Sequence, residues 1–327
     1  YSQGRYRNSQ EIGERLLSVA REGRDSALLV EAHHTLWATL VGMGKAVAAQ
    51  AHLKQGLVLY DRQQHRSLAF LYGAHDPGVC CRNVSAMASW QLGYPDQALK
   101  SMLEALSLAR ELSHPLTTVI ALYFAAWVLY HLGDHEAARE KAETLVALAT
   151  PQGFSTWAED ASIFVARTIV ERGRGEDRVA QVHRGLTPSR AAGRAWRDAF
   201  CLCLLADAYG RVGQPEEGLR VLSAMAPENA GGFYAAELHR IKGELLLKQG
   251  ADVAQEAATC FRRAIEIARD RQEKSFELRA AMSLSRLLRR QGKREDAQRT
   301  LTEIYRWFGE GSDTRDLKEA KALLDEL

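Results

Sequence analysis

The stretch Trp90-Gln91-Leu92-Gly93-Tyr94-Pro95-Asp96-Gln97-Ala98 decides how the rest of the chain is read. A run with helical character ends on a glycine, and Pro-Asp follows almost at once. Glycine takes the left-handed conformation that ends a helix, and proline suits the first turn of the next one, where its missing N–H is not needed. Beyond the turn, Ala98, Leu99, Met102, Leu103, Ala105 and Leu106 recur at i+3 and i+4, the spacing of one helix face. The stretch predicts two antiparallel helices joined by a short turn.

Working outward, the same punctuation recurs at Leu132-Gly133-Asp134, Val212-Gly213-Gln214-Pro215 and Gln291-Gly292-Lys293. Gly93, Gly133, Gly173 and Gly213 stand 40 residues apart, and Gly250 and Gly292 follow after 37 and 42. A fixed period in this range is the signature of a helical solenoid. Seven residues before these glycines stand Ala86, Ala126, Ala166, Ala206, Gly243 and Ser285, all small. Five residues after them stand Ala98, Ala138, Gly218 and Ala297; Arg178 breaks the rule, and Ala257 satisfies it only after a two-residue insertion. Apolar Met102, Ala142, Val182, Leu222, Phe261 and Leu301 come four positions further on. Small residues on facing helices let the two halves of a hairpin approach closely.

An earlier hairpin turns at Gly44-Lys45, with Ala49 and Leu53 in register but Trp37 where the small residue belongs. Residues 60–79 interrupt the period. Long connections are often functional, and Arg62-Gln63-Gln64-His65-Arg66 reads as an exposed contact site or residues 68–72 as a short helix plugging the stack. The expected architecture is all-α: a right-handed superhelical solenoid of about seven antiparallel helix hairpins with no β-sheet, one unit over residues 1–327. Residues 9–22 form a leading helix and residues 313–327 a terminal cap, with Leu317, Ala320, Lys321 and Leu324 on one face.

These residues resemble the tetratricopeptide repeat, best at residues 93–109 and 250–268, with units about six residues longer than the usual 34. A narrower resemblance rests on phrases in order along the chain. They are Leu59-Tyr60-Asp61, His75-Asp76-Pro77-Gly78-Val79, Trp90-Gln91-Leu92-Gly93-Tyr94-Pro95, Ala236-Glu237-Leu238-His239-Arg240-Ile241-Lys242-Gly243-Glu244, Glu277-Leu278-Arg279-Ala280-Ala281, Trp307-Phe308 and Asp316-Leu317-Lys318-Glu319-Ala320-Lys321. Together they are similar to the C-terminal repeat region of large bacterial signalling ATPases, many with an N-terminal adenylate/guanylate cyclase domain. The resemblance implies a regulatory or partner-binding arm, with ATPase and cyclase chemistry in domains outside this chain.

Composition narrows the function classes. Of 327 residues, 46% are hydrophobic and 26% charged, ordinary for a folded protein. Forty-three Lys and Arg against 41 Asp and Glu leave a formal charge of only +2, which argues against a nucleic-acid partner. Five cysteines make no disulfide framework and suit a reducing, cytoplasmic compartment. The longest apolar run, residues 119–130, is too short to span a bilayer. The chain opens on Tyr1 without a leader and reads as a piece of something longer.

Enzyme and cofactor motifs fail on inspection. Gly42-Met43-Gly44-Lys45-Ala46 lacks the hydroxyl that a phosphate loop needs for magnesium, and Thr39 stands where its first glycine belongs. Gly173-Arg174-Gly175 reads as a turn. His131 and His135 straddle the helix-ending Gly133, His33 and His34 point apart on a helix, and Cys201-Leu202-Cys203 has no second pair, so no metal and no cofactor are expected. No catalytic residues are expected either.

Binding is better supported. In tetratricopeptide arrays the first helix of each hairpin lines the concave groove, at 13, 10, 6 and 3 positions before the turn glycine. That register selects Ile120, Tyr123, Trp127 and Tyr130; then Glu237, Arg240, Glu244 and Leu247; then Arg279, Met282, Arg286 and Arg289, with Arg167 and Asp207 at equivalent places between. Aromatic side chains anchor partner segments, and arginines pair with carboxylate or phosphate. The same aromatics at helical spacing also suit an inter-repeat core, and the Glu-Arg pairs a solvated face. The expected function is a protein-interaction arm holding a partner protein or peptide, or another domain of the parent chain. The alternative is a sensor of a small anionic metabolite.

Overall fold

The computed structural model describes residues 5–72, 74–171, 179, 195–223, 232–250 and 252–327. Among these residues no strand occurs. α1 (Tyr6–Gly23) packs on α2 (Ser26–Gly42), which turns into α3 (Ala46–Leu59). Two single-turn helices, α4 (Arg62–His65) and α5 (Leu68–Leu71), follow. Then come α6 (Pro77–Gln91) with α7 (Pro95–Leu112), α8 (Pro115–Leu132) with α9 (His135–Ala149), and α10 (Ser155–Glu171). The later hairpins are α11 (Ala195–Arg211) with α12 (Pro215–Ser223), α13 (Ala235–Gln249) with α14 (Ala254–Asp270), and α15 (Lys274–Arg290) with α16 (Arg294–Tyr305); α17 (Arg315–Asp325) packs on α15 and α16. The fold is an all-α solenoid of antiparallel hairpins.

Local chemistry sets the boundaries. Gly44, Gly93, Gly133, Gly213 and Gly292 all have φ between +72° and +90°. After each, the next residue donates its N–H five residues back: Lys45 to Leu40, Tyr94 to Ser89, Asp134 to Leu129, Gln214 to Tyr209 and Lys293 to Leu288, at 2.8–2.9 Å. These bonds satisfy carbonyls that the helix end would leave bare. Prolines open α6, α7 and α8, and the side chains of Asp76 and Asp134 accept from Val79 N and Ala137 N to cap α6 and α9.

The small-residue register is filled as the sequence requires. Ala86, Ala126, Ala206 and Ser285 are fully buried, and a Cβ on Gly218 would stand 2.8 Å from the Ala206 carbonyl oxygen. The Gly44 unit keeps the rule by exchanging sides: buried Trp37 on α2 lies against Gly56 on α3. Gly250 departs from its fellows, with φ 163° and ψ 174°, which is extended backbone. The two-residue insertion there lengthens the connection, so the chain need not reverse at the glycine. Gly173, Arg178 and Val182 lie outside the described residues.

The irregular connection divides its residues. Leu68 and Ala69 are buried, whereas Phe70, Leu71 and Tyr72 are 72%, 67% and 57% exposed. α8 is the one described helix long and apolar enough to cross a membrane, and 72% of its apolar window is buried inside the protein.

The superhelix closes on itself. Ser275 donates to the Trp90 carbonyl, Phe233 N donates to Gly42 O at 3.2 Å, and Trp307 and Lys274 crowd Gly93. Glu310 Oε1 accepts from Asp96 N and Gln97 N at 3.0 and 3.2 Å, so a loop near the end of the chain caps α7 near its beginning.

Candidate functional site

Where the closing halves meet, one cavity of about 310 Å³ opens beside the closure. Its wall is built from the turn after α8 and from α11, α13, α15 and α17. α11 supplies Asp207 and Arg211, α13 Glu237, Arg240, Glu244 and Lys248, and α15 Arg279, Met282, Ser283 and Arg286. α17 adds Arg315, Asp316 and Glu319, and Tyr130 and His135 close the near side.

The charges interlock. Arg240 grips Glu237 with two hydrogen bonds of 2.8 Å, one from Nε and one from Nη2. Ser283 donates to Glu244 at 2.6 Å, Arg286 to Glu319 at 2.9 Å, and Arg211 to Asp207 at 2.8 Å. Arg279 donates to Asp316 Oδ2 at 2.6 Å and to the His131 carbonyl at 3.1 Å. Burial would raise the pKa of Glu237, but the Arg240 guanidinium, helped by Arg279, holds it below the ordinary range. Glu319 is likewise held low against its partial burial by Arg315 and Arg286. The lining therefore stays charged, six cationic side chains facing five carboxylates.

Eight of the residues selected from the sequence meet here: Tyr130, Asp207, Glu237, Arg240, Glu244, Arg279, Met282 and Arg286. Ile120, Tyr123, Trp127, Leu247 and Arg289 do not line it. Tyr123 and Trp127, read as groove residues, are fully buried core. Tyr123 packs on Trp157 and Phe164 of α10, with ring centres 5.4 and 5.9 Å apart, and Trp127 packs on Trp90 and Phe233 at 5.4 and 5.8 Å. The superhelix closes so tightly that its own aromatics fill the concave face at α8. Arg289 points past the cavity to an ion pair with Glu326. The side chain of Arg167 lies outside the described residues.

The straddling pair His131 and His135 also separates. His131 Nδ1 sits 2.7 Å from the Trp127 carbonyl, an acceptor, so Nδ1 carries the proton and Nε2 accepts from the Tyr234 hydroxyl. Burial, reinforced by Arg279, keeps this ring neutral well below its ordinary pKa. His135 instead stacks on Tyr130 at 4.9 Å. The sequence reading missed Lys248, Arg211, Ser283 and the three α17 residues. Lys248 and Arg211 lie two positions before their turns, one residue past the end of the expected register and one helical turn on from Glu244 and Asp207.

Tetratricopeptide-repeat family profiles match residues 82–112, 119–144 and 278–302. These stretches are similar to tetratricopeptide repeats. The chain is 22% identical over 273 residues to an uncharacterised protein of Rhizobium meliloti (strain 1021), covering 83% of this chain but only 26% of that relative's length. Among solved structures, NprR in complex with its cognate peptide NprX is similar with a TM-score of 0.51 at 12% identity, over 91% of this chain and 81% of that one. A signal transduction ATPase with a tetratricopeptide repeat sensor from Pyrococcus horikoshii gives a TM-score of 0.44 at 14% identity, over 97% of this chain and 48% of that one. The likeness to NprR establishes the helical-repeat fold.

Proposed function

We propose that this chain is a protein-interaction repeat domain, and that its polar cavity holds a short charged segment of a partner protein or of another domain of a longer parent chain. The observation that carries the reading is the cavity wall, where carboxylates and guanidinium groups from four helices face one opening. A volume of about 310 Å³ accommodates a few side chains. Its near-even charge complements a segment carrying both signs, since each arginine already has a carboxylate and exchanges it for one on the ligand. The mechanism is binding rather than catalysis. NprR, the solved structure noted above, carries a peptide on the same kind of fold.

By the resemblance, the parent is a cytoplasmic bacterial signalling protein with an ATPase or cyclase domain, and the repeat arm regulates it. Five free cysteines suit that compartment. A sensor of an anionic metabolite is the second reading; the exposed Lys248, which makes no hydrogen bond or ion pair with another described residue, favours it.

An immobilised library of charged hexapeptides, probed with wild-type protein and with Lys248→Glu/Arg286→Glu, tests the first reading. Selective capture by the wild type that the double variant loses supports it. Equal capture by both, or none, refutes it. A thermal shift with small carboxylates or phosphates, absent with peptides, moves the assignment to the sensor.

A further inference from the structure

Away from the cavity, three metal-binding side chains converge on one point. His34 on α2, His75 in the connection before α6, and Cys80 in the first turns of α6 bring their ligand atoms within 4.8 Å of one another. His34 and Cys80 are each only 5% exposed. Glu31, one turn earlier on α2 and 7% exposed, places Oε2 3.0 Å from His34 Nδ1. An ionised carboxylate only accepts, so Nδ1 carries the proton and the lone pair lies on Nε2. That Nε2 is buried, lies within 4.8 Å of the Cys80 sulfur, and makes no hydrogen bond of ordinary geometry with another described residue.

We infer that His34, His75 and Cys80 bind a zinc ion, with Glu31 fixing His34 in its ligating tautomer. Two imidazoles and one thiolate are a zinc donor set, and three protein ligands leave the fourth position to water. A carboxylate behind a ligating histidine is the usual support for such a site. Charge agrees as well. The +2 of the ion meets −1 from the thiolate and −1 from Glu31, so the buried group is neutral as a whole. The burial of Cys80 keeps substrates from its sulfur, which separates this assembly from a cysteine nucleophile.

The backbone is already set for the task. The Tyr60 hydroxyl donates to Asp76 Oδ2 at 2.8 Å, Asp76 Oδ1 accepts from Val79 N at 2.9 Å, and Asp76 N donates to Thr117 Oγ1 at 3.0 Å. These bonds hold the start of α6, and with it His75 on one side and Cys80 on the other. The irregular connection thereby acquires a reason: it delivers a ligand that no hairpin of the regular period supplies. Zinc there ties α2, the connection and α6 into one body, and the energy of binding adds to that of folding.

The test uses the full chain, stripped by a chelator under reducing conditions and titrated with cobalt(II). The expected result is one equivalent bound, with the visible bands of tetrahedral cobalt and a near-ultraviolet thiolate charge-transfer band, both bleached by added zinc. Cys80→Ser removes the charge-transfer band, and Glu31→Gln weakens binding about 10- to 100-fold. Cys81→Ser, at the neighbouring thiol that donates to the Leu53 carbonyl, leaves both signals in place. Absence of the bands in folded wild type overturns the proposal, as does a charge-transfer band that survives in Cys80→Ser. Should Cys80→Ser fail to fold by circular dichroism, His75→Asn decides: cobalt affinity lowered at least tenfold supports the site, and unchanged affinity overturns it.

Discussion

The guanidinium carbon of Arg279 stands 4.9 Å from the ring centre of Trp90, joining α15 to α6 from opposite halves of the chain. The same group donates to Asp316 on α17 and to the His131 carbonyl on α8, and lies 3.6 Å from Glu237 on α13. One side chain therefore fastens five elements. Its partners Glu237 and Asp316 are 6% and 20% exposed at the side chain, so its removal strands Asp316 where water reaches poorly and leaves buried Glu237 with Arg240 alone. Arg279→Ala is expected to cost about 3–5 kcal/mol in urea unfolding. Arg279→Lys restores little, because an ammonium cannot reach both carboxylates or lie flat on the indole. A loss below about 1 kcal/mol, the scale of a surface pair, would contradict this account.

Gly93 and Gly213 end equivalent helices with φ of 88° and 80°, but their surroundings differ. A Cβ on Gly213 meets nothing within 4 Å, whereas one on Gly93 meets Trp307 at 2.5 Å and the Lys274 Cβ at 2.8 Å. Gly213→Ala is expected to cost only the left-handed strain, about 1–2 kcal/mol. Gly93→Ala adds overpacking of about 1–3 kcal/mol. Thermal unfolding of the two variants should rank them in that order.

The core and the cavity respond differently to truncation. Trp127→Ala and Tyr123→Ala each remove a fully buried aromatic and are expected to destabilise by about 3–5 kcal/mol. Arg286→Ala breaks one part-exposed pair and is expected to change stability by less than about 1 kcal/mol. Chemical denaturation of the three variants distinguishes the classes, and a Trp127→Ala protein as stable as wild type would return Trp127 to the groove.

Glu273 sets a pH dependence. It precedes α15, is fully buried, and neither carboxylate oxygen has a hydrogen-bond partner. Burial pushes its pKa from 4.5 up to about 8, with Arg271 opposing only in part. The folded state then keeps a proton that the unfolded state releases, so this contribution is complete below pH 4.5 and is lost as pH rises through about 8. Glu273→Gln should leave stability near pH 4.5 almost unchanged and raise the melting temperature above pH 8. Equal shifts at both ends would show that Glu273 does not titrate in this window.

Most of the hairpin architecture was legible because five of the described hairpins turn on a left-handed glycine and carry a small residue where their helices cross. Such requirements are local, and they repeat. Glu237, Arg240, Glu244, Arg279 and Arg286 followed from that register for the same reason. Tyr123 and Trp127 were misplaced because their burial depends on Phe233 and the α10 aromatics, whose approach no local spacing announces. Arg315, Asp316 and Glu319 were missed since α17 reads as a cap, and only the closure turns its outer residues toward α13. The meeting of His34 with His75 and Cys80 is of the same kind, being set by how the irregular connection folds back.

The bonds from Glu310 to the first turn of α7 bear on how such a chain varies over time. An open array gains or loses a hairpin at little cost, because each unit touches only its neighbours. Here an inserted or deleted hairpin between α7 and α16 would swing Glu310 away from Asp96 and bring another face to Trp90. The number of repeats is thus pinned by geometry. On such a closed circuit, exchanging a surface side chain disturbs less than changing the count of hairpins.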